Sequence, residues 1–261
     1  METLGDFEDK RGVGPLIELA RTHSNVDVRR EAIETLGEIL PQDTAATTLK
    51  QFLADRDPHV REEAVDTIAG IDNASGLSTL IDLARSDASL EIRVQAVEAL
   101  GHASGRDEGN AADRTAIVQV LSTLATTDRD PDLQIEAAET LGEIGGAAAV
   151  AQLRKLAATH ADEDVRVKAV EALGESGAPA AETADFLKSL AIADKSPEVQ
   201  TKALETLSDL RGGAGIRALV DLARNHPSPS TRREALQRLL DSDHPDARAL
   251  FERALKKTSD R

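Results

Sequence analysis

One helix-length motif occurs seven times along this 261-residue chain, and no other property of the sequence restricts the fold as much. Aligned on Val28, its counterparts are Val60, Ile92, Leu133, Val165, Val199 and Thr231, at steps of 32, 32, 41, 32, 34 and 32 residues. Three positions before each anchor stands Asn25, Asp57, Ser89, Asp130, Asp162, Ser196 or Ser228. All are residues whose side-chain oxygen can satisfy an orphan N–H at a helix start. Proline follows in four repeats (Pro58, Pro131, Pro197, Pro229), at the first helical position, where its missing N–H costs nothing. Acidic residues come next in five (Asp27, Glu91, Asp132, Asp164, Glu198), at the positive end of the helix dipole. Each anchor therefore opens a helix, termed B.

Along helix B, offset 4 is always alanine: Ala32, Ala64, Ala96, Ala137, Ala169, Ala203 and Ala235. Offset 8 is Leu36, Ile68, Leu100, Leu141, Leu173, Leu207 or Leu239. Offsets 0, 4, 5 and 8 make one apolar face, and the alanines predict close helix packing. Gly37, Gly101, Gly142 and Gly174 follow the Leu and are expected to help end the helix, although Glu38-Ile39 allows another turn. A second amphipathic helix, A, precedes each B, as in Leu80-Ile81-Asp82-Leu83-Ala84. Two short helices cannot bury their faces alone; stacked pairs can. The core must be Leu, Val, Ile and Ala, because aromatic residues make up only 2% of the chain.

The pattern Asp-x-x-Val-Arg-x-x-Ala-x-x-x-Leu-Gly, seen at 162–174, resembles the HEAT-like repeats of bacterial and archaeal proteins, the subgroup named after phycobilisome lyases. The resemblance covers nearly the whole chain. It implies an all-α, right-handed solenoid of about seven helix pairs with partial repeats at both ends, with B helices lining the concave surface. It also implies an Asp–Arg ladder between neighbouring repeats for Asp55, Arg61, Asp87 and Arg93. At the same position as those aspartates stand His23, His160 and His226, which interrupt the pattern.

A single solenoid over 1–261 is expected, with repeats at 12–41, 42–73, 74–103, 113–146, 147–178, 179–211 and 212–243. Partial repeats occupy 1–11 and 244–261, and a Gly-, Asp- and Asn-rich inserted loop is expected at 102–113. Glu2-Thr3-Leu4-Gly5-Asp6-Phe7 aligns with Glu34-Thr35-Leu36-Gly37-Glu38-Ile39, so the chain opens inside a B helix. This predicts a piece of a longer polypeptide; a natural helix capping the array is the alternative. At the other end, 246–255 reads as one more A helix and 256–261 as a polar tail.

Net charge is −16, which disfavours nucleic acid and anionic membranes and favours a basic partner or plain solubility. The absence of cysteine excludes disulfides and thiol catalysis. No run is apolar enough for a signal peptide or a membrane span. A cytoplasmic location is expected, or an extracytoplasmic one for a piece of a larger envelope protein. His23, His160 and His226 belong to repeats one, five and seven, too far apart to share a metal ion. They read as macrodipole and capping residues near the ends of A helices. No metal site and no cofactor are expected. HEAT-repeat deoxyhypusine hydroxylases use His-Glu pairs for iron, and no histidine here precedes a glutamate. HEAT-like DNA glycosylases need a basic, aromatic-bearing groove, and this chain has no Trp or Tyr.

The remaining candidate is the outward face of helix B. Offset 6 holds Glu34, Asp66, Glu98, Glu139, Glu171 and Glu205, an acidic stripe with one carboxylate per repeat. Offset 2 holds Val94, Ile135 and Val167 in the central repeats: either an apolar strip within a binding groove or packing against the next repeat. The expectation is a non-catalytic protein-interaction or scaffolding module whose acidic surface takes a basic, partly apolar segment. The alternative is an accessory or lyase-type subunit binding a small ligand or chromophore.

Overall fold

A computed structural model describes residues 12–242 apart from 72–73 and 107–110, together with 244, 245 and 247–249. Every regular element among them is helical. The helices alternate as expected: α1 (Val13–Thr22) and α2 (Val26–Ile39), α3 (Gln42–Leu49) and α4 (Pro58–Ala69), α5 (Ala74–Ser86) and α6 (Leu90–Arg106). They continue with α7 (Ala111–Thr127) and α8 (Pro131–Ile144), α9 (Gly146–Thr159) and α10 (Glu163–Glu175). The last pairs are α11 (Ala180–Ala193) with α12 (Pro197–Asp209) and α13 (Ala214–Asn225) with α14 (Pro229–Asp241). Even numbers are B helices. The second A helix is split, α3 passing into a 3-10 segment at Lys50–Ala54.

The helix starts obey the capping chemistry of the sequence. Asn25, Asp57, Asp130, Asp162, Ser196 and Ser228 each accept from a backbone N–H in the first turn of their B helix. Proline opens α4, α8, α12 and α14. All seven alanines of the offset-4 column and all seven residues of the offset-8 column are at most 2% exposed.

The chain forms two compact units, 1–124 and 125–261, with the boundary inside α7, where the sequence alone predicts one unbroken array. In the first unit α2 packs on α4 and α4 on α6, while α3 packs on α5. In the second, α8, α10, α12 and α14 pack in succession, and α11 lies on α13. Each unit is thus a solenoidal stack in which B helices adjoin B helices.

Two expectations are corrected. The loop foreseen at 102–113 is mostly helix: α6 continues to Arg106 and α7 begins at Ala111, leaving only 107–110, outside the described residues. A helix can run on here because 102–106 holds no proline to break it; Ser104 bonds back to the Gly101 carbonyl at 2.7 Å. Nor do the glycines after the offset-8 residue end their helices. A Cβ on Gly37 would collide with the Thr67 methyl, and one on Gly142 would lie 2.8 Å from Ala172 Cβ and 3.0 Å from its carbonyl oxygen. A Cβ on Gly174 would lie 2.5 Å from the Thr206 methyl. These glycines let successive B helices approach; helix termination is left to the residues after them. Segment 1–11, most of 246–255, and 256–261 lie outside the described residues.

Candidate partner-binding face

The A-to-B turn fixes how each B helix is presented. In all seven repeats the residue after the anchor donates from its side chain to the backbone carbonyl six residues earlier. The pairs are Arg29 to His23, Arg61 to Asp55, Arg93 to Asp87, Gln134 to Asp128, Arg166 to His160, Gln200 to Asp194 and Arg232 to His226, at 2.6–3.2 Å. The side chain of that earlier residue in turn accepts the N–H two residues on. The acceptor is Oδ1 of Asp55, Asp87, Asp128 and Asp194, or Nδ1 of His23, His160 and His226 at 3.1–3.2 Å. Histidine Nδ1 therefore takes the place of the aspartate Oδ1, one for one. The three histidines are helix C-caps.

The inter-repeat ladder runs through partly different residues from those expected. Asp55 is engaged by the buried Arg29 (Nη2 to Oδ1, 3.1 Å), and Asp194 by the buried Arg166 at 3.5 Å. Arg61 reaches past Asp87 to Glu91 at 2.6 Å. Arg93 is 3% exposed and holds the Asp87 carbonyl of its own repeat. Arg29 and Arg166 were findable: each shares the offset of Arg61 and faces an aspartate one repeat on.

The offset-6 carboxylates point outward in both units, but their surroundings differ. In the second unit they alternate with cations. Lys168 Nζ lies 3.0 Å from Glu139 and 3.2 Å from Glu171; Lys202 lies 3.8 Å from Glu171 and 3.2 Å from Glu205. Arg238 extends the row, 3.9 Å from Glu205 and 3.0 Å from Glu234. Partial burial works against the Lys168 ammonium, yet hydrogen bonds to Glu139 and Glu171 and their charges outweigh it, so its pKa stands above the ordinary lysine value. The stripe read from sequence as uniformly acidic is, in this unit, a row of alternating sign. Lys168 and Lys202 were missed; the signal was the Lys-x-x-Glu spacing that puts them one turn before Glu171 and Glu205.

In the first unit Glu34 and Asp66 are exposed and have no ion pair among the described residues. Arg30, whose charge reaches Asp66, is paired with Glu63 at 2.9 Å. Desolvation and the neighbouring Glu62 charge raise the Asp66 pKa above its usual value, against the pull of His102 and Arg30. Glu98 is also exposed. Val94, Ile135 and Val167 are all half-buried, so they form neither a fully exposed strip nor part of the closed core.

Below the second unit's charged row, a cleft of about 500 Å³ opens beside the C-terminal ends of α10 and α12, lined among others by Glu175, Lys202, Thr206, Asp209 and Arg211. Among the described residues no group of three or more His, Cys, Asp or Glu side chains is placed to hold a metal ion. Nor is any described helix long and apolar enough to cross a membrane.

Comparison with known proteins places this architecture. A family model described as HEAT repeats matches residues 46–113, 77–173, 118–208 and 150–223. No curated protein sequence matches. Among solved structures, YibA of Escherichia coli aligns at 20% identity and a TM-score of 0.49, over 91% of this chain and 84% of its own. Human deoxyhypusine hydroxylase, solved with glycerol, aligns at 19% identity and a TM-score of 0.39, over 90% of this chain and 86% of its own. The complex of CpcE and CpcF of phycocyanin lyase from Nostoc aligns at 22% identity and a TM-score of 0.44, over 63% of this chain and 99% of that one. With the family model spanning most of the array and the capped, alanine-packed helix pairs beneath it, the chain belongs to the HEAT-repeat family.

Proposed function

We propose that this protein is a non-catalytic protein-interaction scaffold whose B-helix face receives a basic, partly apolar polypeptide segment. The observation that carries this reading is the contrast along offset 6. In the first unit Glu34 and Asp66 face solvent without an ion pair among the described residues, so an incoming Lys or Arg meets carboxylates it need not strip of those partners. In the second unit a partner would have to compete with Lys168 and Lys202, or engage both signs. The first unit is therefore the basic segment's principal landing site. Val94 lies half-buried at offset 2 of the same unit and offers apolar contact beside it.

A fluorescent peptide alternating Lys with Leu, titrated by anisotropy, tests this. Binding should saturate and weaken as salt rises, because screening at about 0.1 M acts over about 10 Å. Reversing Glu34 and Asp66 to Lys should weaken binding at least tenfold. Reversing Glu18 and Asp82, two exposed carboxylates on A helices, changes net charge equally and should have little effect. If both pairs weaken binding alike, or neither does, the face is only solvated surface.

The second reading, an accessory or lyase-type subunit holding a small ligand, has the α10–α12 cleft in its favour. A purified sample carrying a chromophore or small molecule by mass spectrometry would decide for it.

A further inference from the structure

On a chain of charge −16, one edge of the first unit gathers positive charge. There a cleft of about 400 Å³ lies between the first and second helix pairs, with Arg21, His23, Arg29, Gln51, Asp55 and Arg56 on its walls. Its cations are not equivalent. Arg29 is 2% exposed and fixed, one Nη on the His23 carbonyl and the other on Asp55. Its Nε has no hydrogen-bond partner among the described residues. Among the described residues Arg21 bonds only to the neutral Gln51 amide. Arg56 is exposed and has no ion pair among the described residues. Three guanidinium groups thus line the cleft beside one carboxylate, Asp55, which is already committed to Arg29 and to the Asp57 N–H.

We propose that this cleft binds an oxyanion, the carboxylate or phosphate group of a small molecule. Arg21 and Arg56 are its direct donors, and Arg29, paired with Asp55, is the fixed wall behind them. Guanidinium groups suit this task because their planar N–H pairs match both oxyanions. A short screening length, about 8 Å at physiological salt, shields the cleft from the distant acidic surface. The molecule carries its own control. The corresponding edge between the fifth and sixth pairs keeps the buried Arg166–Asp194 pair, but Ala158 stands at the place of Arg21 and Lys195 at that of Arg56.

The test is an amide NMR titration of the full chain with inorganic phosphate and, separately, with succinate, against sodium chloride at matched ionic strength. Saturable shifts confined to amides 21–25 and 51–57, with Kd at or below about 1 mM, are expected for at least one oxyanion, and which one saturates identifies the class. Arg21→Gln with Arg56→Gln should weaken the response at least tenfold while leaving the rest of the spectrum unchanged; Arg56→Gln alone should do so in part. Non-saturating shifts with both anions, an equal response at 158–161 and 190–196, or indifference to the double variant would each overturn the proposal.

Discussion

The two units carry the same column of carboxylates on the same kind of helix, yet in one the column is bridged, while in the other two of its members, Glu34 and Asp66, have no ion pair among the described residues. Glu139, Glu171 and Glu205 are threaded by Lys168, Lys202 and Arg238. Among the described residues Glu34 and Asp66 have no ion-paired cation, and desolvation and Glu62 hold Asp66 above its ordinary pKa against the charges of His102 and Arg30. The lesson is that a repeat fixes where a side chain points but not its electrostatic state, which depends on what the next repeat supplies three positions after its own anchor. Lysine there makes a bridge; Glu63, at that place in the second repeat, takes up Arg30 instead.

The largest expected effect comes from prising apart the helices under the bridged row. Gly142→Val puts a branched side chain against both the Cβ and the backbone of Ala172, which cannot rotate away. It should cost about 1–3 kcal/mol of overpacking. Gly37→Val in the open unit meets the Thr67 methyl, a side-chain atom that can move, and should cost less. Thermal unfolding of the two variants compares them directly, and equal losses would contradict the backbone argument.

Next is the turn that sets each helix. His160→Leu strips the acceptor from the Asp162 N–H and should cost about 1 kcal/mol, whereas His160→Asn supplies an oxygen in its place and should cost clearly less. Chemical denaturation of the pair should separate them.

The bridge itself is a smaller contribution. Lys168→Met should lower stability by about 0.2–1 kcal/mol, the range of exposed ion pairs. The sign with pH is fixed by the raised pKa of Lys168. Its contribution is fully present below the unfolded lysine value of 10.5 and is lost as pH rises through the higher folded value. The gap between wild type and variant should therefore persist at neutral pH and close under strongly alkaline conditions.

The smallest effect should have the opposite sign. Asp66 has a folded pKa above its unfolded value of 3.8, so the folded state disfavours its charge. Stability is fuller below 3.8 and falls as pH rises through the folded pKa. Asp66→Asn should therefore stabilise the protein at pH 7, within about 0.5 kcal/mol, and the advantage should vanish in acid. Loss of stability at pH 7 would mean that the open column is bridged after all.

Much of the fold was legible because helix starts and buried columns are local signals. Asp162 followed by Glu163-Asp164-Val165 announces a capped helix, and the seven-fold alanine at offset 4 announces a close neighbour. The glycines were misread for a physical reason: glycine after the last apolar residue often ends a helix, and only the neighbouring helix shows that Gly142 is there for Ala172. The candidate face was legible as a row of carboxylates, but its neutralisation was not. The contact from Lys168 to Glu139 spans 29 positions and follows no single-helix period. The cleft of Arg21, Arg29 and Arg56 escaped notice because its members come from three different segments.

The bond from the residue after each anchor to a carbonyl of its own repeat makes every turn self-sufficient. Since the acceptor is main chain, a repeat excised or duplicated whole, in steps of 32 residues, leaves no donor stranded. What must be matched at a new junction is the second arm, as where Arg29 meets Asp55, and the close approach of the B helices, as where Gly142 meets Ala172. The array can thus be lengthened or shortened like a folding rule, each segment bringing its own hinge pin and asking its neighbour for a catch and a flat face.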